Sequence, residues 1–211
     1  MSDDVGVSGP AGLLAAAMLE LSPPGVRSGL LQVDDRHVAS LHASEAAHVR
    51  CAVATRRREF ATGRALLRQL TATSDPIGVS PERAPLVPDG WSASLAHSDR
   101  FAVAVAADRS SYRALGIDLE PMGPMEPDER SVVLRDDDPE LDGRAALVLK
   151  EAAYKAWSGL GGPLIDFHQV RLELDGDTFV AFTPRPEIVL RGRWAGIADH
   201  WLAVVTDPAP G

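Results

Sequence analysis

Lysine is almost missing from this chain. Lys and Arg together number 21, and all but two are arginine. The two exceptions, Lys150 and Lys155, fall inside LKEAAYKAW (149–157), with Glu151 between them. Cysteine is equally scarce. Cys51 stands alone, so no internal disulfide can form, which fits a reducing compartment. It reads as a helix-face residue, because no acid or amide nearby would orient His48 toward it. No long apolar run is present. AGLLAAAMLEL (11–21) is interrupted by Glu20 and stops at SPPG, short of the ~20 residues a membrane span needs. The basic flank of a secretory signal is absent too: Asp3 and Asp4 come first, and no Lys or Arg precedes Arg27. The expectation is a cytoplasmic protein without a membrane span. A net charge of −9 excludes a general nucleic-acid binder. There is no GxSxG nucleophile elbow. GLGGP lacks the Lys and Ser/Thr of a phosphate-binding P-loop. His168 and His200 lack metal-ligand spacing.

What is present is an ordinary globular balance, 45% hydrophobic and 24% charged, over 211 residues. That length suits one domain or two small intimate ones. Charge is unevenly spread. RRREFATGRALLR (56–68) sets Arg56, Arg57, Arg58, Arg64 and Arg68 against Glu59. It is either a solvated helix face or a local anion site in an acidic protein. RDDDPELD (135–142) reads as a solvated acidic loop.

Residues 1–42 are loosely patterned and contain Pro10, Pro23 and Pro24. From Ser44 to Thr71 there is no proline, and Ala46, Val49, Val53, Phe60, Leu67 and Leu70 are spaced for one helix face. A proline-rich loop follows over 72–90. WSASLA and FAVAVAA read as strands joined at HSDR, and LGIDLE (115–120) as a short strand. EPMGPMEPDE breaks regular structure. Residues 141–158 form a second helix stopped by GLGGP. VRLEL, DTFVAF, EIVLRGRW and HWLAVV read as an antiparallel sheet. Helix-then-strands occurs twice, which predicts an α+β fold. The expected form is a pseudo-two-fold pair of halves, 1–114 and 115–211. Each would be a small antiparallel sheet packed on a long helix, with the active site in the cleft between them.

Three constellations could carry chemistry. In GIDLE, Asp118 and Glu120 are two apart, so on a strand they point the same way. Such a pair repels unless a cation or proton sits between them, and its oxygens suit Mg²⁺. The alternative is a strand end with two solvated acids. In LKEAAYKAW, Glu151 and Lys155 form an i, i+4 helix pair worth ~0.2–0.5 kcal/mol. That would be a routine pair, were lysine not so rare here. An ammonium is a compact charge that exchanges protons, which phosphate chemistry can use. In SLAHS, Ser94, His97 and Ser98 lie where a strand meets a turn. His97 is a phosphate donor, a general base or a solvated turn residue.

In order, RRREFATGRALL, ERAP…WSASLAHS, GIDLEP and LKEAAYKAW resemble the 4′-phosphopantetheinyl transferases, of the group that includes the siderophore-synthetase activating enzymes. That family carries a Gly-Arg helix, a Ser-x-Ser-His-Ser/Thr turn, a Gly-Ile/Val-Asp-x-Glu strand and a Lys-Glu-Ala-x-x-Lys helix. LIDFHQVRLELDGDTFVAF and LRGRW…HWLAVV are similar to its C-terminal sheet, so the resemblance covers roughly residues 44–206. It implies that a serine of an apo acyl or peptidyl carrier domain attacks the β-phosphate of coenzyme A, and that 3′,5′-ADP leaves. By resemblance, Asp118, Glu120 and Glu151 hold Mg²⁺, with Mn²⁺ also acceptable. Glu151 takes the serine proton, and Lys155 binds the pyrophosphate and can protonate the leaving group. Lys150 steadies phosphate charge. His97, with Ser98 beside it, meets a coenzyme A phosphate. Arg57, Arg64 and Arg83 serve the 3′-phosphate and adenine side. The N-terminal half would then bind coenzyme A and the C-terminal half the metal, in a monomer. Two positions depart from the pattern: Ala96 replaces the turn's second serine, and Leu147 replaces an aromatic. Carrier domains are typically acidic, so an acidic enzyme needs a local basic or apolar patch to meet one. The alternatives are a paralogue that binds coenzyme A or a carrier without turnover, and a metal-dependent phosphohydrolase.

Overall fold

A proline at the first helical position, where its missing N–H costs nothing, starts helix α1 (Pro10–Leu21). The computed structural model describes residues 9–210. Asp3 and Asp4, on which the reading of the N-terminus rests, lie outside that range. After α1 come strand β1 (Arg27–Gln32), a 3₁₀ turn (Asp35–Ser40), and helices α2 (Ala43–His48) and α3 (Ala54–Thr71). Strands β2 (Gly78–Val79), β3 (Pro85–Leu86), β4 (Trp91–His97), β5 (Phe101–Asp108) and β6 (Tyr112–Pro121) follow. Helices α4 (Pro127–Val133) and α5 (Gly143–Gly159) lead to a second 3₁₀ turn (Phe167–Gln169). The chain closes with β7 (Arg171–Asp175), β8 (Thr178–Phe182), β9 (Val189–Ile197) and β10 (His200–Pro208).

The expected α+β class holds. One antiparallel sheet has the order β1-β5-β4 and a second the order β6-β10-β9-β8-β7. Strand alternation sends the two faces to different helices. Ala102 and Ala104 pack under Leu66 and Leu67 of α3. Ala203 and Val205 pack under Val148, Leu149 and Ala152 of α5. On the opposite face, Phe101, Val103, Leu115, Ile117, Leu202 and Val204 meet Leu14, Met18 and Leu21 of α1. Thus α3 and α5 share one side of the sheets, and α1 covers the junction from the other. Within the loosely patterned segment 1–42, the described residues from 9 onward include a helix and a strand. The segment's alanine- and leucine-rich run is a helix whose periodicity is blurred by small residues that suit either face.

The two sheets meet at β4 and β6 through serine hydroxyls. Ser92 Oγ donates to Arg113 O at 3.0 Å, and Ser94 Oγ accepts from Ile117 N at 3.1 Å. Ala96 lies on this buried side of β4, 5% exposed, within the α1 core. The departure from the family pattern therefore falls at a buried position rather than on an exposed turn.

The single helix expected over 44–71 is broken after His48 and resumes at Ala54. The break turns the two helices so that Glu45, 2% exposed, can be shared. Both its oxygens accept from Arg68 Nη1, at 2.7 and 2.9 Å; Oε1 also accepts Ile77 N and Oε2 accepts His42 N. The loop after α3 carries the short β2–β3 hairpin, which proline content concealed.

Helix α5 starts on the Asp142 carboxylate, which accepts from Arg144 N and Ala145 N. It ends where Gly161 takes φ +76° and Gly162 lies against Trp157, where a Cβ would come within 2.1 Å of the indole. The decisive contact is at β6. A Cβ on Gly116 would sit 1.8 Å from Ala152 O, so helix backbone rests directly on strand backbone there. That contact brings GIDLE and LKEAAYKAW together.

Candidate active site

Asp118 and Glu120 sit on the α5 side of β6, opposite Ala203 and Trp201 of β10 in the ladder. Glu151 and Lys155, one helical turn apart, face them from α5. Lys155 makes its ion pair not with Glu151 but with the strand: Nζ donates to Asp118 Oδ1 at 2.7 Å and to Ile117 O at 3.0 Å. The local helix pair read from the spacing thus gives way to a partner 37 residues distant. Asp118 is 6% exposed, and its second oxygen, Oδ2, is buried without a hydrogen-bond partner.

The surrounding acids are short of positive charge. Burial pushes the Glu151 carboxyl above its ordinary value; Lys155 pulls it back and Asp118 pushes it further up. Glu120 is also raised, first by burial and then by Asp118, while Arg144 and Lys155 oppose the rise. Among the described residues, no three His, Cys, Asp or Glu side chains converge closely enough to form a ready metal cage. The donors still suit a hard divalent cation: an orphaned buried carboxylate oxygen on Asp118, and two carboxyls held in a field that disfavours their charge.

His97 approaches the same face from the other sheet, at the end of β4. Arg56 of α3 donates from Nη1 to His97 Nε2 at 2.6 Å, and Glu59 Oε2 lies 3.6 Å from His97 Nδ1. Burial lowers the imidazole pKa. Glu59 opposes the shift, Arg56 and Lys155 reinforce it, and Asp118 opposes it. Both Lys155 and Asp118 are thus near enough for their charge to be felt across the β4–β6 junction.

The other expected site residues have different places. Lys150 lies apart from the others: it is 0% exposed, on a different face of α5 from Lys155. Its three N–H donors are taken by Val133 O at 2.9 Å, Phe167 O at 3.1 Å and Asp138 Oδ2. Asp138, its side chain 2% exposed, also accepts from Arg135 N and Leu172 N. The acidic run is therefore not wholly a solvated loop, because its fourth residue is the buried counter-ion of Lys150. Arg64 is buried as well. It donates to Ile77 O and Gly78 O and lies over the Phe60 ring, so it ties α3 to the following loop. The Ser98 hydroxyl accepts from Phe101 N and closes the β4–β5 turn. Arg57 and Arg83 are exposed, Arg83 at a hairpin position with φ +70°. Arg56 and Glu59 were passed over in sequence. Three successive arginines point about 100° apart around a helix, so only one can face β4, and the apolar spacing did not say which.

The sequence of the chain is similar to those of known proteins. A family profile described as "4'-phosphopantetheinyl transferase N-terminal domain" matches residues 44–107. The 4'-phosphopantetheinyl transferase Svp of Streptomyces mobaraensis is 35% identical over 189 residues, covering 80% of this chain and 76% of that protein. PptT of Mycobacterium tuberculosis, of the same description, is 31% identical over 179 residues, covering 72% of this chain and 79% of its own. Npt of Nocardia iowensis, again so described, is 30% identical over 167 residues, with 72% and 74% covered. With this identity over most of its length, joined to the β6–α5 acids and lysine and the β4 histidine, the chain belongs to the 4′-phosphopantetheinyl transferase family.

Proposed function

We propose that the protein transfers 4′-phosphopantetheine from coenzyme A to a serine hydroxyl of an apo acyl or peptidyl carrier domain, releasing 3′,5′-ADP. The observation that carries this reading is the meeting of Asp118, Glu120, Glu151 and Lys155 across the Gly116–Ala152 contact, with His97 on the adjoining strand. The reading places the reaction in a cleft between two helix-on-sheet halves.

Asp118, Glu120 and Glu151 would hold Mg²⁺ or Mn²⁺. When bound, the cation neutralises charge on the pyrophosphate and the leaving nucleotide. The protein's own groups do the remainder. Lys155 supplies a cation that can exchange Asp118 for an entering phosphate and later give a proton to the leaving oxygen. Glu151 would accept the serine proton directly or through water. His97, held by Arg56, offers a contact for a coenzyme A phosphate at the edge of the site. Exposed Arg57 and Arg83 stand as candidates for the 3′-phosphate and adenine side.

Analysis of the nucleotide products tests the reaction class. 3′,5′-ADP should appear only when coenzyme A, a divalent cation and an apo carrier domain are all supplied. Nucleotide release without a carrier would mark a phosphohydrolase and overturn the reading.

A further inference from the structure

Lys155 makes a short ion pair with one oxygen of Asp118, while the other oxygen is buried and has no partner. The lysine also donates to Ile117 O, whose own residue is fixed from the other side by Ser94 Oγ on Ile117 N. The ammonium is therefore built into the strand backbone as well as into the carboxylate. It occupies one oxygen of the carboxylate that a divalent cation would need, and among the described residues no three acidic or His/Cys side chains form a ready cage. A compact ammonium and a divalent cation compete for the same carboxylate, because bringing two like charges together is costly in a partly buried site.

We propose that Lys155 is the resident counter-ion of Asp118 in the substrate-free protein, so that the divalent cation enters together with an anionic phosphate substrate rather than ahead of it. The inference rests on the metal-site reading given above. A pyrophosphate supplies new partners for the lysine, releases Asp118 Oδ1 and adds oxygens to the coordination sphere. Without that anion, the protein keeps its own cation in place and loads metal poorly. Such coupling is reciprocal: the metal tightens coenzyme A by the same factor that coenzyme A tightens the metal.

Calorimetric titration with Mn²⁺ tests this without reference to turnover. The wild-type protein should bind Mn²⁺ at least about tenfold more tightly in the presence of saturating coenzyme A, or about 1.4 kcal/mol. Lys155→Met should bind Mn²⁺ alone at least about tenfold more tightly than wild type does alone. Lys155→Gln, which keeps a donor for Ile117 O, should shift the same way and guards against misfolding of the methionine variant. Unchanged or weaker Mn²⁺ binding in a folded Lys155 variant overturns the counter-ion role. Equal Mn²⁺ affinity in wild type with and without coenzyme A overturns it independently of either variant. If wild type and both variants bind no Mn²⁺ even with coenzyme A, the metal-site reading itself fails, and the counter-ion proposal falls with it.

Discussion

Two lysines five positions apart on one helix have unrelated work. Lys150 is a structural cation, its three N–H groups spent on the end of α4, the acidic loop and the second 3₁₀ turn. An arginine fork would not place three converging donors at one point, which gives a physical reason for lysine here. Lys150→Met should strand Asp138 as a buried unpaired charge and cost about 3–5 kcal/mol. Urea unfolding measures this, and a loss under about 1 kcal/mol would contradict it. A Lys150→Met, Asp138→Leu double variant should recover part of the loss. The presence of two unusual lysines was legible in sequence, but their division of labour was not. Both sit in one motif, and only the partners at Asp118 and Asp138, 37 and 12 residues away, separate their roles. Likewise Arg56 was hidden among three equivalent arginines until β4 supplied His97.

Helix α5 and strand β6 form the unit on which the site depends, and Gly116 sets their distance. With a Cβ placed 1.8 Å from Ala152 O, Gly116→Ala cannot be absorbed by a side-chain rotation. It must push helix from strand and separate Asp118 from Lys155. The expected result is a lower thermal midpoint and loss of most transferase activity. Near-normal values of both would show that the contact is not limiting. Gly63 offers a contrast, because there an added Cβ meets the flexible end of Leu95 at 2.6 Å. Gly63→Ala should cost less than Gly116→Ala in the same melting experiment. Elements with strong alternation or a clear cap were readable: β4 to β6, α5, and β7 to β10 match the expected segments. Those that were not readable lacked a pattern of their own. Helix α1 is too rich in small residues, β2 and β3 are two residues each, and the α2–α3 break depends on Glu45 meeting Arg68 and Ile77.

For the whole molecule, the acids of the candidate site are a source of instability. Glu120 and Glu151 bind their protons more tightly folded than unfolded, because burial and Asp118 raise both above the ordinary 4.5. Their contribution therefore favours the folded state below about pH 4.5 and is lost as pH rises through the raised values. Glu151→Gln removes one of these acids. It should flatten that part of the pH–stability curve and raise the thermal midpoint at pH 7. A divalent cation with coenzyme A should raise the wild-type midpoint for the same electrostatic reason. A Glu151→Gln midpoint below wild type at pH 7 would contradict this account. The most direct test of the central claim is intact-mass spectrometry of an apo carrier domain incubated with coenzyme A, Mg²⁺ and either protein. The account predicts that, across a panel of carriers, wild type adds the mass of one phosphopantetheine group to at least one. Folded Glu151→Gln should do so at least about a hundredfold more slowly. No mass gain on any carrier with wild type, or an equal rate with Glu151→Gln, would contradict it.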